Sequence, residues 1–180
     1  MHLTSYQRRL DYERDCLQQL MLEAPEKLHE IRRIDDGKFL LSIADMPALS
    51  AQPAEEWQAN IVKSHRVIIS FPRYYPSVPS EVFLASPVFH PNIDPINGFV
   101  CLWEKHRVAN TVRNSLAKLA AVLAWRLVNT AAPHVMQPDA LAWYQNSDEI
   151  QNKLPLSKCP WIETQTSEEI NRQPLRRRLS

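Results

Sequence analysis

Cys101 is the residue of this chain best placed for chemistry, because it ends a stiff loop and stands just before a long helical segment. The loop, FPRYYPSVPSEVFLASPVFHPNIDPINGFVC at residues 71–101, is punctuated by prolines that fix the backbone. Such stiffness suits a site that must hold its geometry. A thiolate is a strong nucleophile, and a cysteine in a glycine-containing loop can expose one more readily than a cysteine inside an apolar helix. The alternative is a buried structural cysteine, a common fate for this residue.

The cysteine content excludes several other kinds of site. Cys16, Cys101 and Cys159 are odd in number and far apart, and no C-x-x-C pair occurs. The spacing therefore signals neither a disulfide framework nor a zinc site, and a reducing cytoplasm fits best. A thiol redox protein is a further alternative, but no resolving cysteine lies near Cys101 in the sequence. We expect neither a metal nor another cofactor.

Length and charge indicate one globular domain. The chain has 180 residues, 44% hydrophobic and 23% charged, with a net charge of +1. This balance argues against nucleic acid or an anionic membrane as the main partner, and no stretch approaches the roughly 20 apolar residues of a membrane span. We expect a catalytic domain at 1–150 and an extension at 151–180, with one short helix over SEEINR and a mobile, basic end at 172–178.

The segments before Cys101 predict a helix followed by four strands. Thr4 and Gln7 form a predicted capping box for a helix over Ser5–Glu23. An Asp36-Gly37 turn between HEIRRI and KFLLSI predicts an antiparallel hairpin. SHRVIISF and EVFLAS read as the third and fourth strands, and residues 44–63 as a long connection.

Two or three helices are predicted after Cys101. Apolar residues at helical spacing run from Val112 to Leu127, with Asn110 or Thr111 as the N-cap. Pro138 then opens a further helix over DALAWYQ. The order predicts an α+β fold, in which helices pack on one side of a four-stranded antiparallel meander.

This order and the loop together resemble the ubiquitin-conjugating enzyme family. The resemblance covers residues 5–145. It is carried by Phe71-Pro72, Tyr75-Pro76 with Pro79, His90-Pro91-Asn92, Asn97-Gly98 and Cys101-Leu102. The resemblance implies that family's fold, and a function as a cysteine-dependent acyltransferase. Its partners would be an activating enzyme, a ubiquitin-like modifier and a protein target.

The resemblance also implies roles for individual residues. Cys101 would carry the C-terminal glycine of the modifier as a thioester and pass it to an amine, usually a lysine. Asn92 would stabilise the oxyanion formed when the amine attacks, or hold the loop that frames it, and both roles stay open. His90 and Pro91 would organise that loop. The family places an acidic residue after the following helix, where this chain offers His134 as a base and, further on, Asp139; His106 is a weaker candidate.

The chain also departs from the family pattern. The interval from Asn92 to Cys101 is one residue longer than the commonest spacing, through Asp94-Pro95-Ile96. Trp103 stands where an acidic residue is frequent. Ser77 stands where the family often has an exposed phenylalanine, and Val108-Ala109-Asn110 lacks the Trp-Ser-Pro-Ala sequence of many members; in the family these two loops, with the first helix, bind RING-type ligases. These losses argue against a RING ligase, and the chain is similar to members of bacterial conjugation systems associated with antiviral defence. A catalytically inactive binding module of the same fold is the alternative function.

Overall fold

The computed structural model describes residues 4–51, 57–146 and 148–162. Within them lie four helices: α1 Ser5–Glu23, α2 Val112–Leu123, α3 Pro138–Gln145 and α4 Asp148–Lys153. The strands of the described part are β1 Leu28–Asp35, β2 Lys38–Ile43, β3 Ala48–Leu49, β4 Ile61–Val62, β5 His65–Ser70 and β6 Glu81–Leu84. Two 3₁₀ turns cover Trp57–Asn60 and Ala132–His134.

The four long strands form an antiparallel meander in the order β1-β2-β5-β6. The hairpin turns at Gly37, whose φ of 84° favours glycine. In β5, Val67 and Ile69 are buried, as the alternating pattern predicted. The expected α+β fold with an N-terminal helix and C-terminal helices is confirmed.

A second, two-stranded sheet lies within the connection at residues 44–63. Ala48 pairs with Val62, and Leu49 pairs with Ile61. This sheet was not predicted, because a strand of two residues is too short to show alternation.

Helix α1 begins at its predicted capping box, where Thr4 and Gln7 hydrogen-bond reciprocally. Glu13, a polar break in its apolar pattern, is fully buried. Its carboxylate accepts from Tyr75 Oη (2.6 Å), Arg9 Nε (2.7 Å) and the backbone N–H of Val112 (2.6 Å). Glu13 therefore joins α1 to the first turn of α2.

Helix α2 has Thr111 as its N-cap and ends at Leu123, so the expectation that it continues to Leu127 was wrong. Trp125 has a φ of 61°, a left-handed conformation that stops a helix. Its buried ring packs against the rings of His90 and Trp143, at centroid distances of 4.4 and 5.4 Å. The packing of the Trp125 indole therefore ends α2 earlier than the spacing of its apolar residues predicts.

The chain beyond α3 stays attached to the domain. The predicted boundary at residue 150 falls inside α4, and Trp161 and Ile162 are buried in the main core. The division into a domain and an extension stays a prediction, and SEEINR and the basic end lie outside the described residues. None of the helices in the described ranges is long and apolar enough to cross a membrane.

Candidate active site

The loop that carries Cys101 is a narrow hairpin which folds back on Asn92. Ile93 and Val100 form an antiparallel bridge, and the backbone N–H of Cys101 donates to the carbonyl oxygen of Asn92 (2.8 Å). One step further out, the N–H of Asp94 donates to the carbonyl of Phe99 (2.8 Å). These bonds fix Cys101 directly beside Asn92.

The extra residue of this loop is accommodated at its tip. Asp94 Oδ1 accepts from the N–H of Ile96 (2.8 Å), and the Ile96 side chain is 93% exposed. Gly98 closes the tip with a φ of 74°, and its N–H donates to the carbonyl of Asp94 (2.9 Å). The longer spacing therefore enlarges the turn and leaves the base of the hairpin paired.

His90, Pro91 and Asn92 are all buried. His90 Nδ1 accepts from the backbone N–H of Asn92 (3.1 Å), so the neutral ring carries its proton on Nε2. Burial lowers the pKa of His90 to about 3. The carbonyl of Pro91 accepts from the N–H of Met136 (2.7 Å), which ties the loop to the segment after α2. These contacts agree with the predicted loop-organising roles, which stay predictions.

Both the nitrogen and the oxygen of the Asn92 side-chain amide form hydrogen bonds. Nδ2 donates to the carbonyl of Cys101 (3.2 Å), and Oδ1 accepts from the backbone N–H of Asn129 (2.8 Å). This arrangement agrees with the role of holding the loop, and both roles of Asn92 stay predictions. An oxyanion role would draw on the N–H of Nδ2 that does not point at Cys101.

Cys101 lies at the surface edge of the core, 8% exposed. Its Sγ is 3.6 Å from Nδ1 of His134. Burial raises the pKa of the thiol and Glu104 raises it further, whereas a hydrogen bond from the Asn129 side chain and the charge of Lys118 lower it. The sulfur thus has an imidazole at contact distance and an amide donor that favours the thiolate.

Of the three candidate bases, the structure brings His134 to the sulfur. His134 ends the 3₁₀ turn Ala132–His134 and is half-buried. Asp139 lies exposed in the first turn of α3, where the helix dipole favours a carboxylate. His106 Nε2 binds the carbonyl of Pro76 (2.8 Å), in the preceding loop.

Asn129 is a residue of this site that the sequence analysis did not select. It is buried, and its Nδ2 donates to the carbonyls of His134 (3.1 Å) and Cys101 (3.4 Å). The only signal in the sequence was its position directly after the apolar run, on the same loop as His134.

A shallow groove of about 300 Å³ lies between α2 and the segment that follows Cys101. Its lining comprises Trp103, Asn110, Asn114, Ala117 and Lys118. Lys118 Nζ lies 4.3 Å from the centre of the Trp103 ring, and desolvation lowers the pKa of this lysine. Trp103, a departure from the family pattern, therefore forms one wall of the groove. In the described ranges, no three His, Cys, Asp or Glu side chains are grouped to hold a metal ion.

Comparisons with known proteins agree on one family. The family model "Ubiquitin-conjugating enzyme" matches residues 50–153, more than half of the chain. A structure described as a ubiquitin-conjugating enzyme from Trypanosoma cruzi superposes with a TM-score of 0.62 at 13% identity, covering 86% of this chain and 99% of that one. Another, from Plasmodium yoelii, has a TM-score of 0.57 at 17% identity, covering 87% and 94%. At these identities the structures show the fold alone, and a search of curated proteins finds no match.

Proposed function

The chain belongs to the ubiquitin-conjugating enzyme family, and on that premise we propose that Cys101 carries a ubiquitin-like modifier as a thioester. An activating enzyme presents the modifier as a thioester on its own cysteine. The Cys101 thiolate attacks that carbonyl, a new S–C bond forms, and the activating enzyme's sulfur leaves as a thiolate. An amine of the target, a lysine by resemblance to the family, then attacks the Cys101 thioester. The amide bond forms as the Cys101 sulfur leaves.

The observation that carries this proposal is the 3.6 Å contact between Cys101 Sγ and His134 Nδ1. Cys101 lies on a hairpin, and Asn92 Nδ2 donates to its backbone carbonyl. We assign His134 as the base that takes the proton of the attacking amine, since imidazole is suited to that task near neutral pH. Asn92 holds the loop, and the second N–H of its Nδ2 is the donor assigned to the oxyanion. Removing such a donor typically costs about 100- to 1,000-fold in rate.

The test is a charging assay with the activating enzyme and modifier of the same organism, with ATP. The wild-type chain should form an adduct on non-reducing gels that excess thiol removes. Cys101→Ser should give an adduct that resists thiol but yields to hydroxide, because an oxyester replaces the thioester. The matched control replaces Cys16 and Cys159 with alanine and should charge normally. An adduct that survives in Cys101→Ala would refute the assignment.

One observation favours the second candidate, a non-catalytic binding module. Cys101 is nearly buried, and burial raises the pKa of its thiol. A module would bind modifier without a covalent bond. It would give equal affinity in Cys101→Ala by calorimetry and no thiol-sensitive adduct under any charging condition.

We propose further that the enzyme works in a bacterial conjugation system of antiviral defence without a RING ligase. The exposed Ser77, in place of an apolar anchor, supports the part of the proposal that concerns the ligase, and the bacterial setting rests on the resemblance described above. The loops concerned still expose Tyr74 and Val108. A binding titration with RING domains, using Ser77→Phe as the matched variant, tests the ligase part. Tight binding by the wild-type chain would contradict it.

A further inference from the structure

Asn129 connects the backbone of the proposed nucleophile to the backbone of the proposed base. Its Nδ2 reaches the carbonyl of His134 at 3.1 Å and that of Cys101 at 3.4 Å. Its own N–H donates to Asn92 Oδ1 at 2.8 Å. Asn129 therefore links three segments: its side chain joins the Cys101 strand end to the His134 turn, and its backbone N–H binds the Asn92 loop.

We propose that Asn129 is a positioning residue that acts through His134, holding its imidazole at contact distance from the Cys101 sulfur. This inference rests on the proposed function of Cys101 as the acyl carrier. It goes beyond that function because it identifies what determines the distance between the sulfur and the base.

His134 needs such an anchor because little else fixes the turn that carries it. The turn is three residues long, its N-cap makes no side-chain hydrogen bond, and residues 130–133 are exposed. On the far side, the N–H of Met136 binds the carbonyl of Pro91 at 2.7 Å. On the near side, the Asn129 amide ties the backbone carbonyl of His134 to that of Cys101, beside the contact between Cys101 Sγ and His134 Nδ1. Removal of the amide takes away this backbone tie, so that the position of the imidazole depends on the Met136 bond and on the side-chain contact with the sulfur.

The charged and titratable groups around the sulfur are the same in every variant needed for the test, apart from His134 itself. Glu104 raises the pKa of the Cys101 thiol and Lys118 lowers it, and neither is altered. A change in thiol titration therefore reports on the Asn129 amide and the His134 imidazole.

The experiment measures alkylation of Cys101 by iodoacetamide as a function of pH, in the full chain with Cys16→Ala and Cys159→Ala. In this background we compare the parent, Asn129→Ala, His134→Ala, the double variant and Thr130→Ala, whose parent residue is an exposed neighbour. Asn129→Ala should raise the titration midpoint of the Cys101 thiol by about one pH unit, a smaller part through the lost hydrogen bond from Asn129 to the sulfur and the larger part through displacement of the His134 imidazole. In the His134→Ala background less than half of that shift should remain. Thr130→Ala should match the parent.

Equal shifts in both backgrounds would overturn the inference, because Asn129 would then act on the sulfur independently of His134. An unchanged midpoint in Asn129→Ala would overturn it as well. Should that variant unfold, Asn129→Leu keeps a similar side-chain shape with neither a donor nor a charge and should raise the midpoint in the same His134-dependent way. The assay uses no activating enzyme or modifier. If the thiol midpoint shows this dependence on His134 but the wild-type chain never forms a thioester in the charging assay, the proposed function is refuted and the positioning role of Asn129 stands.

Discussion

Protonation of His90 should make the stability of this protein fall steeply in mild acid. The ring is fully buried, its Nδ1 already accepts from the backbone of Asn92, and its pKa is lowered by burial to about 3. In the unfolded chain an ordinary histidine has a pKa of about 6.5. The unfolded state therefore binds a proton first, and stability present above pH 6.5 is lost as pH falls towards 3.

The size of the effect follows from linkage. Each pH unit below the unfolded pKa costs about 1.4 kcal/mol, so the native state should lose about 2 kcal/mol between pH 7 and pH 5 from His90 alone. That is a large share of the roughly 5–15 kcal/mol that stabilises a domain. Below pH 3 this contribution levels off, because both states are then protonated.

The assay is urea unfolding of the wild-type chain and His90→Asn at pH 7, 6 and 5, followed by far-UV circular dichroism. Asparagine does not titrate, and its Oδ1 can still accept from the N–H two residues on, as in an Asx turn. The variant loses ring packing against Trp125 and starts from a lower stability, but its loss on acidification should be about 2 kcal/mol smaller. His65, whose pKa burial also lowers, is present in both proteins and cancels.

Parallel stability curves for the two proteins would refute this reasoning. An independent measurement avoids the variant altogether: the His90 imidazole resonances of the folded wild-type chain should stay those of a neutral ring down to pH 4. Titration of those resonances near pH 6.5 would contradict the burial argument directly.

Two further changes test the framework around the site. Glu13→Ala leaves Arg9 and the N–H of Val112 without their buried acceptor, so the free energy of unfolding at pH 7 should fall by about 3 kcal/mol relative to the wild type. A fall of less than about 1 kcal/mol would contradict the anchoring role. Gly98→Ala should destabilise by about 2 kcal/mol or more, because φ is 74° and the new Cβ would lie 2.2 Å from the carbonyl oxygen of Leu84. Here Ile96→Ala is the matched control at the same tip, since Ile96 is 93% exposed, and equal melting temperatures for the two variants would disprove the steric argument.

Regular periods made most of the fold predictable. The alternation in SHRVIISF and the Asp36-Gly37 turn both report local rules, and the structure places a strand and a hairpin there. The capping box at Thr4 is equally local. The wrong prediction of the α2 end depended on contacts distant in sequence. Leu127 has the helical phase of α2, but the chain leaves the helix at Trp125, whose ring packs against His90.

The residues of the candidate site also differ in whether local sequence or distant contacts reveal them. Cys101, Asn92 and His90 lie within one short segment, so a motif could identify them together. His134 could be nominated from its loop, but its distance from the sulfur depends on the fold. Asn129 had no pattern of its own, because its significance arises from hydrogen bonds to Asn92 and Cys101, which are distant in sequence, and to His134 on its own loop.

The longer loop shows which part of such a site tolerates change. An added residue beyond the Ile93–Val100 bridge lengthens an exposed turn, and loop closure makes such an addition inexpensive. The same insertion inside the bridge would break the bond from the Cys101 N–H to Asn92 and turn each following side chain to the opposite face. Spacing between Asn92 and Cys101 therefore does not by itself decide whether Cys101 lies beside Asn92. The pairing at the base of the hairpin decides it, and this chain has that pairing.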